Sequence, residues 1–281
     1  MNDTTTTPDP SSPRIVFVGA GNMASALIGG LIARGTAPAS LQAIDPSASQ
    51  REALGVRFGI TTHAAGGDHV GQADVIVLAV KPQQMHEAVD ALAPGIATQL
   101  IISVAAGVRA TDLSRWLGGY SRIVRTMPNT PALIGLGATG LAMLAGGSGA
   151  DRRLAESIMQ AVGQTVWVDD ESQLDAVTAL SGSGPAYVFR FIESMIAAGT
   201  GLGLSPEQSR QLALQTVSGA AQLACASSEP VAILRERVTS KGGTTAAALS
   251  VFEAGGLDAV VAQAMGAARD RSAELGDEFG R

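Results

Sequence analysis

Arg14–Gly35, RIVFVGAGNMASALIGGLIARG, decides the fold. Four β-favouring residues run into a glycine turn, and the turn opens a stretch with helical apolar spacing. The turn fits G-x-G-x-x-A, with Gly19, Gly21 and Ala24 at the three fixed positions. Those positions meet three separate demands: a tight turn, a close approach of main chain to a pyrophosphate, and close packing of helix on strand. Free N–H groups at the helix start are then available to phosphate oxygens. A glycine turn alone says little. After a strand and before a helix, it predicts a dinucleotide-binding unit.

Working outward, LQAID (Leu41–Asp45) reads as a second strand. ADVIVLAV (Ala73–Val80) and QLIISVAA (Gln99–Ala106) are apolar runs of strand length with a helical pattern between them. Continuous apolar strands alternating with helices predict a parallel sheet covered on both faces. RIVRTM (Arg122–Met127), GATGLAML (Gly137–Leu144) and QTVWV (Gln164–Val168) extend that sheet. After about Asp170 the pattern turns helical: Val188, Ile192, Met195 and Ile196 share one face, and Ser205 caps a long helix with Pro206 at its first position. Further helices are expected over Val231–Val238, Thr244–Glu253 and Leu257–Glu274. The expected organisation is a disordered polar tail (1–12), an α/β dinucleotide-binding domain with a parallel sheet (13–170), and an all-helical domain (171–281).

Composition narrows the function classes. A 46% hydrophobic, 16% charged chain is globular. Its net charge of −6, without a lysine or arginine block, argues against a nucleic-acid surface. The absence of a long apolar run or a signal peptide argues against a membrane and makes the cytoplasm the default setting. The one cysteine, Cys225, excludes an intrachain disulfide and a CxxC metal site, and reads as a small buried side chain. His63, His69 and His86 receive no role, and no metal is expected.

Several segments carry candidate chemistry. Asp45 ends the second strand, where an acid either bonds the adenosine ribose hydroxyls, favouring NAD over NADP, or is merely an exposed loop acid. Arg51 would partly offset its charge beside a 2′-phosphate. AVKPQ (Ala79–Gln83) and SVAAG (Ser103–Gly107) follow strand ends, the edge where ligands lie in open α/β sheets. Asn129 and Thr130 in RTMPNTPAL face either a cleft or a structural turn. Ser181–Gly184, before Pro185, is either an anion-accepting helix start or a cap. Finally, TSKGGTTAAAL (Thr239–Leu249) sets two glycines among hydroxyls just before good helix formers. Gly242 and Gly243 let main-chain N–H groups turn inward, and the positive helix end favours a carboxylate. A plain glycine loop with a threonine cap is the other reading.

Taken together and in this order, VGAGNMA, AVKPQ, AAGV, RTMPNTPA, DAVTALSGSGPAYVF and VTSKGGTTAAAL resemble the pyrroline-5-carboxylate reductase family over nearly the whole chain after residue 13. The last two motifs are specific to that family; the first is shared with many dehydrogenases. The resemblance implies an N-terminal Rossmann domain, a helical domain that interlocks with a second subunit, and a homodimer that assembles into larger rings in some relatives. It implies reduction of the cyclic imine 1-pyrroline-5-carboxylate to L-proline with NADPH or NADH. It places Val18, Gly19, Ala20, Gly21, Asn22 and Met23 on the pyrophosphate, Asp45 near the ribose, and Ala79, Val80, Lys81, Pro82, Val104, Ala105 and Ala106 beside the nicotinamide. Ser240, Gly243, Thr244 and Thr245 would hold the substrate, with Glu171 an acidic position that touches it and Thr245 the catalytic hydroxyl.

This sequence departs from the family pattern twice. Lys241 stands where proline is common, and Asp45 stands where many relatives carry a neutral or hydroxyl residue. Two rivals remain at this stage. A β-hydroxyacid dehydrogenase would need a helical lysine facing the nicotinamide, and the helical half holds only Lys241, in a loop. A non-catalytic dinucleotide sensor would share the fold without the reaction.

Overall fold

The computed structural model describes Ser12–Arg281. The expected tail therefore lies outside the described residues except for Ser12. Eight strands form one sheet: β1 (Ile15–Val18), β2 (Leu41–Ile44), β3 (Thr61–His63), β4 (Val75–Leu78), β5 (Leu100–Ser103), β6 (Ile123–Met127), β7 (Gly137–Met143) and β8 (Gly163–Trp167). Their order is β3-β2-β1-β4-β5-β6-β7-β8. All pairs are parallel except β6 with β7. The three-residue β3 is polar and half exposed at the sheet edge, so it lacks the apolar run that announces the other strands.

Twelve α-helices among the described residues accompany the strands: α1 (Asn22–Ala33), α2 (Ala48–Phe58), α3 (Asp68–Gly71), α4 (Met85–Leu92), α5 (Ala110–Trp116), α6 (Gly149–Gln160), α7 (Gln173–Val177), α8 (Gly184–Gly201), α9 (Pro206–Ala226), α10 (Val231–Arg237), α11 (Thr244–Ala254) and α12 (Leu257–Phe279). The central strands read as unbroken apolar runs because both their faces are covered. Side chains alternate across a strand. Ile15 and Phe17 of β1 therefore join one core with Leu27, Ile28 and Leu31 of α1, while Val16 and Val18 join a second core with Met85, Val89 and Leu92 of α4 and Leu113 of α5. Ala24, the third position of the glycine motif, is fully buried, which lets α1 lie close to the sheet.

The chain falls into two compact units, one reaching Ser183 and regaining Ala268–Arg281, the other Gly184–Ala267. These borders differ from a division at residue 170 for identifiable reasons. Leu174 of α7 is fully buried in the first unit, and Ser272 donates to Asp175 Oδ1 at 2.7 Å. Arg109 pairs with Asp277 at 2.7 Å and donates to Ala273 O, and Arg115 donates to Gly280 O. The last turns of α12 thus pack on the loop and helix that follow β5.

The second unit is entirely helical. α9 starts with a reciprocal cap between Ser205 and Gln208, and Pro206 stands at its first position. α8, α10 and α11 contain no buried residue, and large apolar side chains such as Phe189 (61% exposed) and Val251 (70%) face outward within a single chain. Cys225, expected inside, is likewise exposed on α9, because this unit leaves so much apolar surface uncovered.

Candidate active site

Sheet register gathers the predicted dinucleotide segments on one edge. Val18 lies opposite Ile44 and Leu78, and Leu78 lies opposite Ser103. The residues immediately after them, Gly19, Asp45, Ala79 and Val104, therefore leave the sheet side by side at its carboxyl end. The chain visits β2 and β3 on one side of β1 and then crosses to β4 on the other, so this edge is the topological switch point where open sheets bind ligands.

The glycine turn fits a pyrophosphate on its geometry. Gly19 has φ +100°, and a Cβ there would lie 2.6 Å from Ala79 O, so no other residue fits. A Cβ on Gly21 meets nothing within 4 Å, which leaves open space where the main chain turns into α1. Gly21 caps α1 without a side-chain hydrogen bond. The first amides of α1, at Asn22, Met23 and Ala24, thus lack acceptors inside the helix and can serve an anion. Val18 and Ala20 are buried supports of this turn. Asp45 is not a loose loop acid: its Oδ2 accepts from Ala20 N at 2.8 Å and its Oδ1 from Ser47 N at 2.8 Å.

On the other side, Ala79 N donates to Val18 O, and Val104 N donates to Leu78 O. Ala79, Val80 and Pro82 are half-buried and Lys81 is exposed at the start of a short 3-10 turn. Val104 is half-buried, Ala105 buried and Ala106 exposed. Ser103 O accepts from the buried Thr126 hydroxyl at 2.9 Å, which holds β5's end in place.

Glu171 has a different setting from the one expected. Its Oε1 accepts from Ala110 N at 2.6 Å and from Arg125 Nη1 at 3.0 Å. The carboxylate neutralises a buried guanidinium and caps the first amide of α5. Glu171 braces the β5–α5 segment through Oε1. Asn129 is similarly committed. It donates to Ser181 O and accepts from Ala138 N, so the structural-turn reading holds and the cleft reading does not. Ser181 lies in a π-helical turn, Thr178–Gly182, and its hydroxyl donates back to Val177 O. The segment nonetheless leads into a helix, since α8 begins at Gly184. The stacked His63 and His69 rings stand 3.8 Å apart at the sheet edge. Among the described residues there is no group of three or more metal-ligating side chains, and no single helix is long and apolar enough to cross a membrane; α11 and α12 approach that composition only as a pair bent by 52°.

In the helical unit, α11 begins as its glycine motif suggests. Gly242 takes φ +73°, and Gly243 caps the helix with no side-chain hydrogen bond. Gly243 N donates to Ser240 O at 3.0 Å, closing a turn, and a Cβ on Gly243 would overlap Ser240 Oγ. The amides of Thr244, Thr245 and Ala246 are left without acceptors inside the helix. Thr245 is half-buried, while Ser240, Lys241 and Thr244 are exposed. The helix start is bare main chain flanked by hydroxyls, an arrangement able to accept an anion.

Comparison with known proteins agrees with both halves. One family model, described as pyrroline-5-carboxylate reductase dimerisation, matches residues 171–275; another, described as NADP oxidoreductase, coenzyme F420-dependent, matches residues 14–107. The chain is 50% identical over 272 residues to a pyrroline-5-carboxylate reductase of Pseudomonas aeruginosa, covering 96% of this chain and 100% of that protein. A solved pyrroline-5-carboxylate reductase of Coxiella burnetii superposes with TM-score 0.90 at 40% identity, covering 94% of this chain and 99% of that one. A pyrroline carboxylate reductase of Plasmodium falciparum, solved with NADP bound, superposes with TM-score 0.81 at 31% identity, covering 94% and 98%. With half its residues shared along almost its full length, and with a dimerisation region following its dinucleotide-type sheet, the chain belongs to the pyrroline-5-carboxylate reductase family.

Proposed function

We propose that the chain reduces 1-pyrroline-5-carboxylate to L-proline with NADPH or NADH. The observation that carries this reading, beside the family, is the uncapped start of α11. Three acceptor-free amides and two threonines stand behind a glycine pair, Gly242 at φ +73° and Gly243 close against Ser240 Oγ. That is a site for one small carboxylate, and the substrate is a small cyclic imine bearing one.

The division of labour follows from the residues. The amides of Asn22 and Met23, reached through the open space at Gly21, hold the pyrophosphate. Ala79, Val80, Lys81 and Pro82 form one wall of the nicotinamide position, and Val104, Ala105 and Ala106 the other. A bound nicotinamide dinucleotide supplies the hydride. The free amides at Thr244 and Thr245, which follow Gly243, clamp the substrate carboxylate with the Ser240 hydroxyl. The imine takes a proton from solvent at its ring nitrogen and the hydride at its carbon, and the Thr245 hydroxyl bonds that nitrogen and steadies it as it becomes an amine. Positioning of this kind accounts for much of a barrier reduction without a nucleophile or a metal. A β-hydroxyacid dehydrogenase would need a lysine on a helix, and the helical unit supplies only Lys241, which lies in the loop before α11. Two chains pair through the helical unit and bury the apolar side chains that one chain exposes. Larger rings of such dimers and a cytoplasmic setting complete the proposal, supported by the family and by a small, soluble substrate.

The assay is direct: supply the imine with each reduced nucleotide and follow nicotinamide absorbance. No oxidation of either nucleotide removes the proposed activity. Thr245→Val removes one hydroxyl at nearly constant volume. It is expected to lower kcat by about 10- to 100-fold, the worth of one hydrogen bond to a charged group, with nucleotide binding intact. An unchanged kcat discards the role of Thr245.

A further inference from the structure

We propose that this chain prefers NADH to NADPH and that Asp45 decides the preference. The inference rests on the dinucleotide reading above and narrows it.

Asp45 is the first residue beyond β2, at the sheet edge shared by Gly19 and Ala79. Its carboxylate is held from two sides: Ala20 N–H donates to Oδ2 and Ser47 N–H to Oδ1, each at 2.8 Å. Turning the carboxylate away would strand both amides, one of them in the glycine turn itself. The charge is therefore a fixed part of the site rather than a mobile surface group. A carboxylate offers about four acceptor positions. Two are taken by the amides, and the others remain for ribose hydroxyls, which have protons to donate. A 2′-phosphate has acceptors where the carboxylate needs donors, and it brings a second negative charge to a place already negative.

An arginine could reverse this outcome, and the structure shows where the arginines of α2 are engaged. Arg51 Nη1 donates to Asp45 O at 2.7 Å and to Pro46 O at 2.9 Å, bracing the turn between β2 and α2. Nη1 is thereby committed to the main chain, which fixes where the guanidinium stands. Arg57, the next cation along α2, donates to Ser25 Oγ at 3.3 Å and stands over the Phe58 ring. The remaining polar side chains of the turn are neutral. Ser47 and Ser49 bond one another at 3.0 Å, and the Ser47 hydroxyl also caps α2. The turn is thus built around a fixed acid with acceptor positions to spare for a ribose, and its basic residue is anchored through Nη1 to main-chain carbonyls.

The test is nucleotide binding without the imine, so that it does not depend on turnover. Dissociation constants of NADH and NADPH for the full chain are measured by calorimetry at low and high salt. NADPH is expected to bind at least about tenfold more weakly, and the gap to narrow as salt screens the repulsion. Asp45→Ser, which removes the charge, is expected to tighten NADPH and loosen NADH so that the order reverses. Asp45→Asn keeps the shape and one acceptor, and is expected to close most of the gap. Equal or tighter binding of NADPH by the unaltered protein overturns the inference, as does an Asp45→Asn variant whose NADPH affinity does not move. Should Asp45→Ser fail to fold, the unaltered protein still decides, by whether ADP-ribose outcompetes its 2′-phosphorylated form. If neither nucleotide binds at all, the dinucleotide reading itself fails, which is a different result from equal binding.

Discussion

Replacing Glu171 separates a brace from a substrate contact. The side chain lies 22% exposed and its partner Arg125 only 4%. One oxygen serves both Arg125 Nη1, at 3.0 Å, and the first amide of α5, at 2.6 Å. In Glu171→Ala the guanidinium stays buried without its counter-charge, and the amide loses its acceptor. Removing one side of a fully buried pair costs about 3–5 kcal/mol. Water reaches Glu171 in part, so about 2–3 kcal/mol is the appropriate figure. For a chain of this size that corresponds to a Tm lower by about 4–10 °C. Glu171→Gln retains an acceptor oxygen and loses only the charge, so about half that shift is expected. Pairing Glu171→Ala with Arg125→Met supplies the coupling term: the double variant should be less destabilised than the sum of the single ones, because the stranded charge is gone. The measurements are thermal unfolding and steady-state kinetics with the imine. Under the brace reading Tm falls while KM for the imine changes by no more than about twofold. A Tm that does not move, with a KM raised tenfold or more, would return Glu171 to the substrate and refute the reasoning.

Two further outcomes follow from the same kind of geometry. Arg122 donates to Asp151 Oδ1 and holds that carboxyl down to about 2 from an ordinary 3.8, with the Ser148 bonds of the α6 cap assisting. A folded-state value below the unfolded one contributes stability that is complete above about pH 5 and is lost as pH falls toward 2; the amount is about 2 kcal/mol. The stability advantage of the unaltered protein over Asp151→Asn, measured by denaturant unfolding, should therefore be flat above pH 5 and shrink on acidification, and a pH-independent gap would contradict it. Gly243→Ala drives a methyl group into Ser240 Oγ, which is the end of a movable side chain, at an ordinary φ of −82°. The fold should survive while the cradle deforms: KM for the imine rises about tenfold or more, nucleotide affinity stays put, and an unaltered KM would remove the carboxylate from this loop.

How far the sequence reveals such features depends on the distance over which each is built. The sheet was legible because burial of both faces writes itself into four or five consecutive residues, as in Val75–Leu78, whereas Thr61–His63 at the edge has no such signature. The glycine cradles were legible for a related reason. Turn, cap and helix start are all local, so Gly19–Gly21 and Gly242–Gly243 announce their shapes within a few residues. The partners of charged and amide side chains were not. Glu171 meets residues 46 and 61 positions away, Asn129 meets one 52 away, and Arg109 meets Ala273 across 164. Nothing in a window of helical or strand period encodes those meetings, so an acid before DAVT looks available for substrate until its actual partner is seen.

The helical half is easy to read as helices and hard to read as a core. Period and caps define α9 and α11 without reference to what covers them. Yet α8, α10 and α11 bury nothing fully within one chain, and Phe189, Val251 and their neighbours stay exposed. A stripe written into the sequence must be covered by something. Here the match of residues 171–275 to a dimerisation model identifies the cover as another subunit. The apolar side chains that the helical unit exposes are therefore addressed to a second copy, and stability depends on protomer concentration as well as on intrachain packing.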